Sequence, residues 1–215
     1  MDCSSQDLVN YSIYTASDAD EMARLLGEVF AQRDPPAVAT GLTSFEFEAF
    51  VRLFCPKADA QRLTIIARSA DTGEMIGALL TEDFASAPPD GMDHLSPKFN
   101  PIFDILGQLD AEYRSGRIVH PGETIHLFLL GVAAHSAGKG TGQRLVAECL
   151  ANGARRGYRM AVTEATNKTS QHLFRKQGFI ERVRKSYGDH RFDGQAVFAS
   201  IIEHGGPILM DKRMA

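Results

Sequence analysis

The sequence predicts a mixed α/β (α+β) body built on one central sheet, and three observations predict it. The run "TIHLFLLGVAA", residues 124–134, is almost continuously apolar, as expected of a strand covered on both faces. Segments of strand character alternate with segments whose apolar residues recur at helical spacing. At 215 residues, 44% hydrophobic and 23% charged, the chain is long enough to bury one substantial core. One domain over residues 1–215 is the expectation.

The elements follow in order. "YSIYTA" reads as a strand, and "SDADEMARLLGEVF" as a helix with Ser17 or Asp18 at its N-cap and Met22, Leu25, Leu26 and Val29 on one face. "RDPPAVATGLT" breaks the regularity, and "SFEFEAFVRLFCP" resumes a helix that should stop ahead of Pro56. "RLTIIARSADTGEMIGALLTEDF" holds two β-rich runs about a turn-rich centre, which predicts an antiparallel hairpin. "ASAPPDGMDHLSPKFNP" reads as a surface loop, before a helix with Ile102, Ile105, Leu106, Leu109 and Tyr113 along one face. Beyond the central strand lie a glycine-rich loop and a helix faced by Leu145, Val146, Cys149 and Leu150. The strand "YRMAVTEA", the helix "SQHLFRKQ" ending at Gly178, and the β-rich stretches "FIERVRKSY", "QAVFASII" and "PILMDKRM" complete the chain.

Composition excludes several classes of function. A net charge of −4 with dispersed Lys and Arg gives no general attraction for nucleic acid. No apolar run approaches the length of a membrane span, and the first ten residues lack the pattern of a secretory signal, so a cytoplasmic, non-membrane protein is expected. Cys3, Cys55 and Cys149 have no metal-type spacing and read as reduced thiols, and no metal is expected.

The glycine loop carries the chemistry. A strand, a glycine-rich turn and a helix N-terminus together expose backbone N–H groups at a partly positive helix end, which suits a phosphate or pyrophosphate. The nucleoside-triphosphate loop does not fit, because Ala133 stands five before Gly138 and Gly140 follows Lys139. The dinucleotide fingerprint fits poorly, since Gly138, Gly140 and Gly142 run G-x-G-x-G, although Glu164 stands where an acidic ribose ligand is expected. A loop that merely turns the chain is the plain alternative.

"VAAHSAGKGTG" taken with "NKTSQHLFRKQGF" resembles the GNAT superfamily of acetyl-CoA-dependent N-acyltransferases. Val132, Gly138, Lys139, Gly140, Thr141 and Gly142 stand in register with the family's loop, and Asn167, Ser170, Leu173, Phe174, Gly178 and Phe179 with its later helix. Ala137 replaces the usual Arg or Gln. More loosely, Asp34-Pro35, "SPKFNPIFDILGQLDAEY" and "GQAVFASIIEHGGPILMDKRM" resemble, in the same order, segments of the insect-type arylalkylamine and dopamine N-acetyltransferases.

The resemblance implies a GNAT-like fold, a mostly antiparallel sheet with one splayed parallel pair flanked by helices, and acetyl-CoA as cosubstrate. It implies that Leu130, Gly131 and Val132 meet the pantetheine and thioester. Ala137, Gly138, Lys139, Gly140, Thr141 and Gly142 would clamp the pyrophosphate, with Asn167 and Ser170 near the pantetheine. It also implies a small primary amine as acceptor, with an arylalkylamine as the subgroup's case, in a pocket built from inserted segments near 34–54 and 85–115, and a monomer or homodimer.

Asp34 is the first candidate base, by its match to an acidic position and its extended backbone before Pro35, with a loop-starting Asp as the alternative. His126 is the rival: alternation puts residues 126, 128, 130 and 132 on one face, with a hydrogen-bonded core histidine as the alternative. Ser170 or Thr166 would relay a proton or cap a helix, because Phe174 stands where many family members carry an acidic tyrosine. His204 matches a histidine of the arylalkylamine-like tail. Phe45, Phe47, Phe50, Phe54, Phe99, Phe103 and Tyr113 offer aromatic surface for the acceptor or belong to the core. A peptide or protein acceptor, a non-catalytic acyl-CoA-binding module and a dinucleotide oxidoreductase are the competing readings.

Overall fold

The computed structural model describes residues 8–214. Seven strands form one sheet: β1 (Val9–Ile13), β2 (Ile65–Ser69), β3 (Met75–Asp83), β4 (Thr124–Val132), β5 (Met160–Ala165), β6 (Ile180–Arg184) and β7 (Ile208–Arg213). Six helices flank it: α1 (Ala19–Arg33), α2 (Pro35–Thr40), α3 (Ser44–Gln61), α4 (Asn100–Arg114), α5 (Thr141–Arg155) and α6 (Lys168–Lys176). The sheet order is β1-β2-β3-β4-β5-β7-β6, which puts β4 at the centre as its apolar run requires. Every adjacent pair is antiparallel except β4 and β5.

That parallel pair is short. Thr124, Ile125 and His126 pair with Met160, Ala161 and Val162, and beyond them the two strands part. Leu145, Val146 and Cys149 of α5 pack with Ile125 and Leu127 on one face of the sheet. Met22 and Leu26 of α1, Phe50, Val51 and Phe54 of α3, and Ile105 of α4 form the core on the other. Each such side chain contributes about 1.5–3 kcal/mol by leaving water. The α1–α3 contact is close: a Cβ on Gly27 would sit 2.7 Å from the Ser44 carbonyl oxygen.

Several sequence expectations need correction. Residues 35–40 are helical, because Asp34 caps them and two prolines occupy the first turn, where missing N–H groups cost nothing. α3 runs through Pro56 to Gln61, its buried face continuing from Phe54 and Cys55 to Ala58, so packing outweighs one lost backbone bond. Neither Ser17 nor Asp18 caps the first helix with its side chain. Asp18 instead reaches back to accept the Thr15 N–H and hydroxyl at 2.9 and 2.8 Å. "QAVFASII" forms no strand; residues 199–204 are a 3-10 segment that sends Phe198 and Ile201 into the core at a spacing of three. Cys55 and Cys149 are buried free thiols, and Cys3 lies outside the described residues. Among the described residues no helix is long and apolar enough to cross a membrane.

Candidate active site

Where β4 and β5 part, a cavity of about 1130 Å³ opens and reaches from the glycine loop to the aromatic side of α3 and α4. At one end the chain leaves β4, makes a 3-10 turn over Ala134–Ser136, passes Ala137 in extended conformation and enters α5 through Gly138 and Gly140. Both glycines have left-handed backbone, with φ of 77° and 86°, and a Cβ on either would meet no other group within 4 Å. They are therefore required for the turn and leave open space before it. The first N–H groups of α5 have no acceptor within the helix, so they face this space as an anion site. Gly142 is needed differently: a Cβ there would lie 3.3 Å from Leu173 of α6. Ala137, Gly138, Gly140, Thr141, Gly142, Asn167 and Ser170 all line the cavity.

This geometry carries a prediction. Gly140→Asp puts a strained left-handed residue and a negative charge at the helix N-terminus. Acetyl-CoA affinity, read by calorimetry, should fall a hundredfold or more, roughly what a unit charge a few ångströms from a pyrophosphate costs. The fold should lose only about 1–2 kcal/mol. Unchanged affinity would remove the loop from the binding site.

Asp34 lies across the cavity from that loop. It is 8% exposed. One carboxylate oxygen accepts the Thr166 hydroxyl at 2.5 Å, the other the Ala37 N–H at 3.4 Å. Burial pushes its pKa up, and the Thr166 and Ala37 donors pull it back only to about 6. The Thr166 carbonyl in turn accepts the Tyr187 hydroxyl at 2.7 Å. Asp34 and Thr166 are thus joined, and the same Asp34 carboxylate caps α2. Ser170 instead serves the α6 cap: its N–H donates to Asn167 Oδ1 at 2.9 Å and its hydroxyl to the Asn167 carbonyl at 3.0 Å. Phe174 is buried against Phe179, and its side chain supplies no proton.

His126 is not the free imidazole that base work at neutral pH needs. Its Nε2 lies 2.6 Å from Glu164 Oε2 and its Nδ1 3.6 Å from Glu82 Oε1. Burial works to lower its pKa, but the carboxylates, Glu164 foremost, outweigh burial and hold it at about 10. The imidazolium is already charged at pH 7 and accepts no further proton. Glu164 is engaged here rather than facing a nucleotide ribose.

The alternation along β4 also fails. The register with β3 shifts between Leu80, opposite Leu129, and Thr81, opposite Leu127, so Phe128 is an extra residue in a β-bulge. Before the bulge, Ile125 faces α5, where a Cβ on Gly153 would touch it, and His126 faces Phe84. After it the faces exchange: a Cβ on Gly131 would meet Leu26 and Val29 of α1, whereas Leu130 and Val132 approach Gly142. His126 and Phe128 therefore lie on the α3 side, and Leu130 and Val132 on the α5 side. The Val132 carbonyl accepts a hydrogen bond from Arg33, which pantetheine pairing at that atom would have to displace.

Phe47, Phe50, Phe54, Phe99 and Phe103 line the cavity together with Phe128, in contacts such as Phe99 stacked on Phe103 at 5.3 Å. Phe45 is 79% exposed and outside the cavity. Tyr113 also lies outside, donating its hydroxyl to Asp211 at 2.9 Å. His204 does reach the cavity wall. Sequence reasoning missed Glu82, Arg33 and the pairing of Glu164. The available signal was a glutamate inside each of two otherwise apolar strand runs, "GALLTED" and "AVTEA".

Comparison with known proteins agrees with this geometry. No curated protein sequence matches the chain. The fold is similar to the C-terminal condensation domain of Ebony in complex with beta-alanyl-dopamine, with a TM-score of 0.87 at 14% identity, covering 96% of this chain and 99% of that one. It is similar to arylalkylamine N-acetyltransferase 2 of Aedes aegypti, with a TM-score of 0.80 at 19% identity over 96% and 99%. The polyamine N-acetyltransferase of Drosophila melanogaster gives 0.77 at 16% over 96% and 100%. A sequence model of the acetyltransferase (GNAT) family matches residues 40–179, which take in β2 to α6 and the whole glycine loop. With the splayed β4–β5 pair and a glycine loop at the N-terminus of α5, the chain belongs to the GNAT family of acetyltransferases.

Proposed function

We propose that this chain transfers an acetyl group from acetyl-CoA to a small primary amine bearing an aromatic group. The observation that carries the reading is the buried Asp34 carboxylate, poised at about pKa 6 on the wall of an aromatic-lined cavity that continues to the glycine loop. An alkylamine has a pKa near that of lysine, about 10.4, so only roughly one molecule in a few thousand is neutral at pH 7. A buried carboxylate binds the ammonium form and then takes its proton.

The amine lone pair then attacks the thioester carbonyl, the C–N bond forms, the C–S bond breaks to release CoA thiolate, and the second amine proton passes to that thiolate, leaving the neutral amide and CoA thiol. That thiolate, with a pKa of about 8.5, leaves without a strong acid, consistent with phenylalanine at position 174. Backbone N–H groups of the loop hold the pyrophosphate, and the stretch of β4 through Leu130, Gly131 and Val132, paired with β3 but parted from β5, orients the thioester. Thr166 positions Asp34, and Asn167 and Ser170 shape the wall where the pantetheine passes.

The test is thiol release from acetyl-CoA by the purified protein with tyramine, tryptamine, dopamine, polyamines or short peptides. Release that depends on an arylalkylamine is expected. Release with peptides alone would overturn the acceptor assignment, and silence with every amine while acetyl-CoA raises the Tm would point to a binding module.

A further inference from the structure

The part of the cavity beyond Asp34 contains a second set of buried ionisable groups that the chemistry above does not use. Glu82 of β3, His126 of β4 and Glu164 of β5 stand side by side on three neighbouring strands, at the point where β4 and β5 separate. Lys57 of α3 reaches in from the edge, 2.9 Å from Glu82. The cluster continues through Phe84, whose ring lies 5.5 Å from the His126 ring and under the guanidinium of Arg114 at 3.8 Å. Arg114 in turn holds Asp110 at 2.7 Å. Three carboxylates here meet three cations, and each has an opposite charge within 2.9 Å. Asp34 differs, since its partners are the Thr166 hydroxyl and the Ala37 N–H.

This distribution bears on the acceptor. A cation entering an apolar cavity must recover its lost hydration from opposite charge, and two charges need two uncompensated partners. Asp34 offers one such partner. The distal cluster, with His126 charged between its carboxylates, offers none.

We propose that His126 is an acceptor-selectivity residue: by neutralising Glu164 beside the Lys57-paired Glu82 it makes the far end of the cavity electrically balanced, so that amines with one positive charge bind and diamines or guanidino-amines are rejected. The inference rests on the amine-acceptor reading and refines it.

The probes are hexylamine and 1,6-diaminohexane, of matched reach and differing by one charge. Their binding is measured by calorimetry on the full chain with acetyl-CoA omitted, and their kcat/KM in parallel. Wild-type protein should favour the monoamine. His126→Gln keeps a polar side chain but leaves the cluster one negative charge in excess, and the diamine-to-monoamine ratio should rise about tenfold or more, as one added charge in a low-dielectric cavity dictates. Lys57→Gln, at the rim of the cluster, should shift the ratio the same way without touching the cavity floor. Glu164→Gln should shift it the opposite way. A merely structural role would weaken both amines together, so an unchanged ratio in the folded variants overturns the proposal. Should His126→Gln not fold, an unchanged ratio in Lys57→Gln overturns it alone. Binding with normal selectivity but no turnover would sink the transferase reading and leave this one standing; failure of the monoamine to bind wild-type protein would sink both.

Discussion

Asp34→Asn should lower kcat/KM for any amine acceptor about a hundredfold to ten-thousandfold, the range expected for loss of a positioned general base. The pH profile should change shape as well. In the wild-type protein activity should rise through about pH 6, where the buried carboxyl ionises. In the variant that limb should vanish, leaving only the rise set by the amine itself towards about pH 10.

Stability distinguishes this outcome from unfolding, and the sign follows from linkage. The carboxyl is raised from about 3.9 unfolded to about 6 folded, so the folded state binds more protons in that window. Stability falls as pH rises from about 3.9 to 6, and above pH 6 the ionised group costs on the order of 3 kcal/mol. Asparagine carries no such charge and still offers an oxygen to Thr166, so the variant should melt no lower than wild type at pH 7.5. A variant that keeps its Tm and retains activity would exclude Asp34 as the base.

The largest effect on stability is expected at Gly206. A Cβ there would lie 1.9 Å from the Lys185 carbonyl oxygen and 2.8 Å from its carbon, both backbone atoms that cannot rotate away. The approach is fixed by flanking bonds: Lys185 N–H donates to the Pro207 carbonyl at 3.1 Å and Tyr187 N–H to the Gly205 carbonyl at 3.0 Å. Gly206→Ala should therefore cost about 4 kcal/mol or more, lowering the Tm by roughly 8–16 °C in a chain of this size. It should also depress activity. The Gly206 carbonyl accepts from Gln171 of α6 at 3.0 Å, and Tyr187 carries the hydroxyl that supports Thr166 and hence Asp34. The comparison is Gly41→Ala, where the backbone is left-handed at φ 68° but the space is open, with an expected cost of about 1 kcal/mol. Equal losses at the two sites would show that the 185–206 contact yields to the methyl group.

Much of this architecture was legible from residue order. Apolar continuity over 124–134 located the central strand, helical spacing located α1, α4 and α5, and the loop glycines located the turn into α5, because each of these is a local pattern with a local cause. What escaped depends on distant partners. Pro56 ends a helix only if nothing holds the next turn, and the core residues on both sides of it hold it. Asp34 and Thr166 are 132 positions apart, and their hydrogen bond exists because α2 and the end of β5 meet across the cavity. His126 reads as a base until Glu82 and Glu164 arrive on neighbouring strands and fix its charge.

The extra residue at Phe128 has a consequence for any comparison of this chain with distant relatives. β4 is written in two phases, with odd positions turned to α5 before the bulge and even positions after it. An alignment that carries the strand through without a gap at 128, where the relative lacks the bulge, would equate side chains that face α3 with side chains that face α5. Transferring roles from such an alignment would put half of β4 on the wrong face of the sheet, and deleting Phe128 in the laboratory would impose the same exchange on the protein itself.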